Sequence, residues 1–206
     1  MSPRSPDGRS ARELVAALSA SHFNDRALAL AELVRRGRAS TAALVDALPT
    51  AVGELRARIA QGLAEIADPS AAEVFAAMLD DADEQVRARA AQGLVRIGDP
   101  RALDALLQTI DDYPDILREP DTLSTDGLTD LGPAVLPRVV PLLKEPGLMT
   151  RSRAFLVLRR VFPRLAGSSD WQSLWVELGR YLPAAEQAQR DAAADRWIAW
   201  VERQAY

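Results

Sequence analysis

One stretch of this chain repeats itself almost residue for residue. The segment RARIAQGLAEIADPSA begins at Arg56 and returns as RARAAQGLVRIGDPRA at Arg87, 31 residues later. Weaker copies begin at Asp25, Ser124 and Arg151. A period of this length is typical of stacked-repeat proteins, in which each unit buries its apolar face only against its neighbours. The chain is therefore expected to form an array of repeats.

The pattern within each repeat predicts two antiparallel helices. In the second strong copy, apolar and small residues recur at helical spacing over 86–97, and Gly98-Asp99 ends that helix. Asp99 then caps a second helix that has Pro100 in its first turn. This second helix is predicted to turn four apolar residues inward: Leu103, Leu106, Leu107 and Ile110.

The same signals predict an all-α chain of about five helix pairs with a capping helix at each end. A short first helix at 11–20 begins at Ser10 and Glu13, which have capping-box spacing. A final helix is predicted at 184–204, and the polar residues 1–10 are predicted to be a disordered tail. The helix pairs are predicted at about 22–49, 51–79, 83–110, 120–144 and 148–180.

The run DDADEQVRARAAQGLVRIGDPRALDALLQTI, which begins at Asp80, resembles a HEAT repeat of the short bacterial kind first noted in phycocyanobilin lyase subunits. The resemblance implies that 11–206 is a single HEAT-like α-α superhelix, a curved solenoid whose second helices line the concave side. HEAT proteins serve as scaffolds, inhibitors, chaperones, chromophore lyases and, in a few cases, DNA glycosylases. The resemblance is therefore specific for fold and poor for function.

Composition narrows the function classes. The chain has no cysteine and one histidine, His22, so neither thiolate metal sites nor a cofactor is expected. Its net charge of −4 argues against a nucleic-acid partner and favours a protein partner. No apolar run approaches the about 20 residues of a membrane span, and the N-terminus lacks the apolar core of a signal peptide. We therefore expect a cytoplasmic protein with no membrane partner.

Pairs of arginines recur with the repeat. The two members of a pair lie about 200° apart around a helix, so they flank its buried stripe. Each guanidinium is predicted to bond to carboxylates and helix C-termini of the adjacent repeat. A phosphate-binding track is the alternative, and the acidic balance opposes it. The pairs are Arg56/Arg58, Arg87/Arg89 and Arg151/Arg153.

Carboxylates cluster where the repeat units end. Helix capping and interaction with helix dipoles are the predicted roles, and an acidic docking rim for a basic partner is the alternative. A calcium site is disfavoured because the spacing matches no ligand loop. These residues are Asp80, Asp81, Asp83 and Glu84, followed by Asp111, Asp112 and Asp115.

The period breaks over 111–124, where Pro114 and Pro120 interrupt the helical pattern. In repeat arrays such insertions emerge as loops on one face, often the binding face. A plain connector is the alternative. Gly62, Gly93 and Gly127 are aligned inside helices, where glycine costs about 0.5–1 kcal/mol relative to alanine, so close helix approach is expected there.

Four tryptophans lie near the end of the chain, in pairs that share a helix face. They are expected to seal the last repeat, with a partner or dimer surface as the alternative. The residues are Trp171, Trp175, Trp197 and Trp200.

The partner-binding surface is predicted by elimination, from positions on the second helices opposite the buried leucines. Replacing Met78 and Thr109 with arginine is expected to block binding and spare the fold. The candidate residues are Asp46, Val74, Met78, Gln108, Thr109, Tyr113, Arg138 and Leu142.

Two classes of function are consistent with this sequence. The favoured one is a non-enzymatic interaction module, an adaptor, scaffold or inhibitor that binds a protein in the concave groove. The alternative is an enzyme, either a chromophore lyase-type factor or a nucleic-acid repair enzyme. The residues show no clustered acid, base and nucleophile, so no catalytic residue is proposed.

Overall fold

The computed structural model describes residues 8–165 and 170–204, and within them the chain is helical and forms no strand. Of the predicted tail at 1–10, residues 1–7 lie outside the described residues. The α-helices are α1 (Ala11–Ala17), α2 (Phe23–Arg36), α3 (Thr41–Ala47), α4 (Gly53–Ile66), α5 (Ala72–Met78), α6 (Glu84–Ile97), α7 (Ala102–Gln108), α8 (Leu123–Leu131), α9 (Leu136–Val139), α10 (Leu148–Val161), α11 (Trp171–Glu177) and α12 (Gln187–Glu202). Single 3₁₀ turns lie at Gly37–Ser40, Leu48–Thr50, Pro69–Ala71, Pro133–Val135, Val140–Lys144 and Phe162–Arg164.

The helix ends predicted from Ser10, Gly98 and Asp99 are confirmed, whereas the first and last helices, Ala11–Ala17 and Gln187–Glu202, are shorter than predicted. At α1 the Ser10 hydroxyl accepts a bond from the Glu13 amide, and the Glu13 carboxylate accepts one from the Ser10 amide at 2.7 Å. Gly98 ends α6 with φ +71°, a conformation that glycine adopts without strain. The Asp99 carboxylate then accepts a bond from the Arg101 amide at 2.8 Å. Local chemistry thus sets the helix ends.

The chain divides into two compact units between Ala105 and Leu106. In the first unit the longer helices α2, α4 and α6 pack side by side, and α3 and α5 pack against α4 and α6. In the second unit α8 packs against α10, and α12 packs against α9 and the turn Val140–Lys144. This stacking of helix pairs is the α-α solenoid that the repeats predict. The single domain over 11–206 stays a prediction.

The aligned glycines lie where helices approach closely. A Cβ at Gly93 in α6 would overlap the ring of Phe75 in α5. A Cβ at Gly127 in α8 would lie 2.8 Å from Leu106 Cδ2, closer than van der Waals contact allows. The predicted structural role is confirmed, because any larger residue would push a buried neighbour aside.

The arginine pairs form a ladder within the first unit. Arg56 donates to the Asp81 carboxylate and to the Leu48 carbonyl, both at 2.6 Å. Arg58 donates to the Leu18 carbonyl at 3.1 Å. Both carbonyls lie at the C-terminal ends of preceding helices, α1 and α3, where arginine side chains bond favourably to the last carbonyls. The structural interpretation of these arginines is therefore confirmed.

In the second unit an arginine of the pairs also bonds to backbone carbonyls. Arg151, which is buried, donates to the carbonyls of Glu145 and Pro146 at 2.7 and 2.6 Å and to that of Pro183 at 2.9 Å. Arg26 uses the same geometry in the first unit, where it donates to the carbonyls five and six residues before it. Arg26 was missed in the sequence, although it precedes Arg56 by 30 residues, close to the repeat period.

The tryptophans of the second unit comprise one buried ring, Trp197, and three half-buried ones. Trp197 is fully buried and stacks on Trp171 with ring centroids 5.4 Å apart. Trp200 meets Trp197 edge to face at 5.8 Å, and Trp175 donates its indole N–H to the Tyr181 carbonyl at 3.0 Å. The rings join α11 and α12 to each other, which supports the predicted sealing role over a partner surface.

The predicted inward faces of the second helices are wrong in part. Met78 and Thr109, predicted to face a partner, are buried, at 3% and 0% exposure. On the helix predicted from Asp99, Leu106 and Ile110 are buried as predicted, but Ala102 and Ala105 are buried too, and Leu103 and Leu107 are half-exposed. The Thr109 hydroxyl pairs with the Ser124 hydroxyl at 2.8 Å. Arginine at Met78 or Thr109 would therefore disrupt the core.

Candidate protein-binding surface

The segment that breaks the period folds into an ordered loop between α7 and α8. Its tip is closed by three backbone hydrogen bonds of 2.9–3.0 Å that join Asp115, Arg118 and Asp121 in a ring. The Asp115 carboxylate accepts a further bond from the Leu117 amide at 3.0 Å. Because its backbone groups bond to each other, the loop holds a defined shape without a regular helix or strand.

Two arginines of α10 anchor the base of the loop. Arg153 donates to the Pro120 carbonyl at 3.0 Å and to the Asp111 carboxylate at 2.5 Å. Arg160 lies 2.6 Å from a carboxylate oxygen of Asp121. Arg153 is buried, so its bonds are shielded from water and worth more than surface contacts. The loop is therefore fixed by residues distant in sequence.

The loop leads directly into α8 through a second capping box. The Thr122 hydroxyl accepts a bond from the Thr125 amide at 3.0 Å, and the Thr125 hydroxyl accepts one from the Thr122 amide at 2.9 Å. Thr122 also donates to the Ile110 carbonyl at 3.2 Å, across the base of the loop. These bonds fix the first turn of α8 against the loop.

The loop tip exposes apolar side chains beside a groove. Ile116 is 82% exposed and Leu117 is 89% exposed, and Tyr113 is 37% exposed. They line a groove of about 470 Å³ with Leu123 of α8. Burying a leucine or isoleucine is worth about 1.5–3 kcal/mol, so the adjacent pair is unusually costly to leave in water on a rigid loop. We call the residues Tyr113, Ile116, Leu117 and Leu123 the loop surface.

Carboxylates line the same groove. The Arg118 guanidinium, 2.7 Å from the Asp115 carboxylate, lowers the pKa of that carboxyl below its ordinary value. Burial raises the pKa of Asp126, against the attraction of Arg160 at 3.1 Å, and the charge of Asp121 adds to the rise. At Asp126, burial therefore outweighs the attraction of Arg160.

The structure places the eight predicted partner-binding residues in different environments. Tyr113 is the one that lines the loop groove, and Met78 and Thr109 are buried. Asp46 on α3 is exposed and lies 3.5 Å from Arg12. The remaining four are exposed or half-exposed on their helices: Val74, Gln108, Arg138 and Leu142.

Sequence reasoning identified the loop but missed the residues that dominate its surface. The sequence pattern assigns Ile116 and Leu117 only to an insertion and predicts no role for them. The sequence signal for them is an adjacent apolar pair between Pro114 and Pro120 that belongs to no apolar helix face. Arg153, predicted to bond to a carboxylate, holds the base of their loop through Asp111 and Pro120.

The capping role predicted for the carboxylates is confirmed at Asp83, the N-cap residue of α6. The Asp81 carboxylate accepts a bond from the Asp83 amide at 3.0 Å, and the Asp83 carboxylate accepts one from the Gln85 amide at 2.8 Å. Asp111 is held by Arg153 and by the Thr150 hydroxyl at 2.6 Å.

The described residues contain no group of three or more acidic or histidine side chains placed to hold a metal ion. None of the helices in this part of the chain has the length and apolar character needed to cross a bilayer.

The stacked helix pairs define the class of protein, an all-α solenoid. Residues 41–120 match the family model of HEAT repeats, which supports a HEAT-repeat protein. The phycocyanobilin-lyase-like type stays a prediction. No curated protein matches the chain. Among solved structures, a crystal structure of an engineered protein from the Northeast Structural Genomics Consortium is similar, with 17% identity and a TM-score of 0.43, over 94% of this chain and 97% of that chain.

Proposed function

We propose that this chain is a non-enzymatic protein-interaction module, an adaptor, scaffold or inhibitor, that docks its partner on the loop surface. The exposure of Ile116 and Leu117 on an anchored loop carries the proposal. HEAT repeats, which the match at 41–120 supports, generally act as protein-interaction modules. A rigid loop loses little conformational entropy on binding, which favours affinity.

Five further residues predicted from the sequence stay in the proposal as partner contacts, each within its own unit. They remain accessible on the helices predicted to line the concave side. These residues are Asp46, Val74, Gln108, Arg138 and Leu142.

The carboxylates of the loop groove support a binding role over an enzymatic one. Asp115 is engaged by Arg118, and Asp121 and Asp126 share Arg160. These ion pairs hold the loop in its shape, which is a structural role. Nothing in the described residues favours the chromophore lyase or the nucleic-acid repair enzyme.

A pull-down with matched variants tests the proposal. The loop variant is Ile116→Ser/Leu117→Ser. The control is Phe23→Ser/Leu28→Ser on α2, which removes an exposed apolar pair of the first unit, where Phe23 is 72% exposed. Both variants should fold, because substitutions at exposed positions usually change stability by no more than about 0.5 kcal/mol.

The proposal predicts one protein that is captured by the wild type and the control and lost by the loop variant, as judged by mass spectrometry. Circular dichroism checks that each bait is folded. A partner that the folded loop variant captures as well as the wild type does would refute docking at the loop surface.

A further inference from the structure

The loop and the first turn of α8 concentrate negative charge. Residues 111–126 contain six carboxylates and one arginine, a formal charge of −5 in a chain whose total is −4. Arg153 and Arg160 of α10 offset part of this charge from below the loop. The groove beside Ile116 and Leu117 is both apolar and acidic, because its lining includes three carboxylates, Asp115, Asp121 and Asp126, and one cation, Arg118.

Asp126 is the carboxylate best placed to meet a ligand. It lines the groove beside Leu123, and half of its side chain is exposed. Arg160 approaches Asp121 at 2.6 Å and Asp126 at 3.1 Å, so one cation serves two carboxylates. A second cation arriving from a ligand would find an incompletely compensated charge at the edge of an apolar groove.

We propose that the occupant of the groove is a basic, apolar segment of a partner protein. An apolar side chain of that segment would bury against Ile116 and Leu117, and a lysine or arginine near it would bond to Asp126. The apolar contact supplies affinity, and the charge selects the partner and speeds association. This inference rests on the proposed function, since it names the chemistry of the partner at the same surface.

The charge argues against a second copy of this chain as the occupant. Two copies that met loop to loop would bring together two segments that each keep a formal charge of −3 once Arg153 and Arg160 are counted, and like charges across an interface are unfavourable. A basic segment gains from the same field. The volume of about 470 Å³ suits a few side chains of an extended or helical peptide.

Selection from a random peptide library displayed on phage, with the full chain as bait, tests the inference. Recovered peptides are synthesised with a fluorescent label and titrated by fluorescence polarisation. We expect peptides that combine an apolar residue with a nearby lysine or arginine. Leu117→Ser should weaken their binding at least about tenfold, because a leucine contact is worth about 1.5–3 kcal/mol.

Asp126→Asn isolates the charge, since the asparagine keeps the shape and can still accept the bond from Arg160. It should weaken binding about three- to fivefold, the range for a half-exposed ion pair. Glu119→Gln removes an exposed charge of the same loop that does not line the groove, and it should change affinity less than about twofold.

The outcomes separate the two proposals. Peptides that depend on Leu117 but carry no cation, or bind Asp126→Asn as well as the wild type, overturn the basic partner and leave the loop surface standing. A selection without any peptide sensitive to Leu117→Ser overturns both. A wild-type dimer that Leu117→Ser dissociates, measured by analytical ultracentrifugation, would assign the groove to a second copy and also overturn the inference.

Discussion

Replacing Gly93 with alanine tests why the repeats keep a glycine inside a helix. Alanine favours the helix by about 0.8–1 kcal/mol over glycine. The new Cβ would overlap the ring of Phe75, which is fully buried and has no space to move. Overpacking of a core typically costs about 1–3 kcal/mol. Since this overlap is severe, we expect a net loss of about 1–2 kcal/mol in the free energy of unfolding.

The other aligned glycines give a graded control for the same substitution. At Gly62 the new Cβ would lie 3.2 Å from Leu30 Cδ1, the end of a flexible, half-buried side chain, so Gly62→Ala should be near neutral. Gly127→Ala should fall between the two. Urea denaturation followed by circular dichroism measures the series.

A double mutant identifies the cause. In a Phe75→Leu background the ring is gone, so Gly93→Ala should cost less than it does in the wild type, with a coupling energy of about 1 kcal/mol. If Gly93→Ala leaves the protein as stable as the wild type, or if its cost is the same in both backgrounds, close approach to Phe75 is not the reason for this glycine.

Three more predictions concern the core and its charges. Trp197→Ala should cost about 3–5 kcal/mol, since the ring is fully buried, and an unchanged melting temperature would contradict a structural role. Met78→Arg should unfold the first unit, as seen by circular dichroism, because it buries an unpaired charge; its exposed neighbour Ala77→Arg should be tolerated. Hydrogen bonds from Arg35 and Arg36 lower the pKa of Glu32 to about 2, so its stabilising contribution is complete above pH 4.5 and is lost as the pH falls toward 2. Glu32→Gln should reduce the fall in melting temperature between pH 4.5 and 2. A melting temperature that depends on pH as steeply as in the wild type would refute this assignment.

Features set by local chemistry were predictable from the sequence. Helix ends followed from Ser10, Gly98 and Asp99, and the close approach at Gly93 followed from its alignment within the repeat. The bonding of Arg56 to a turn of the next repeat was also predicted. These features recur in each unit, so the period itself exposes them.

Features set by packing between distant segments were not predictable. In α7 the small residues Ala102 and Ala105 are buried, and small residues allow helices to approach closely. Apolar periodicity alone does not tell these alanines from the neighbouring leucines as buried positions. Likewise the loop that carries Leu117 is held at its base by Arg153, 36 positions further along the chain than Leu117. The sequence could mark the insertion but not the direction in which its tip points.

The central claim is that a protein partner docks on the loop surface. Amide hydrogen exchange of the chain, free and in complex with the partner recovered by pull-down, tests it most directly. We predict slowed exchange over 113–123 and the first turn of α8 in the complex, where burial of Ile116 and Leu117 would close the loop to water. Protection confined to α3 and α5, with unchanged exchange over 113–123, would contradict the claim.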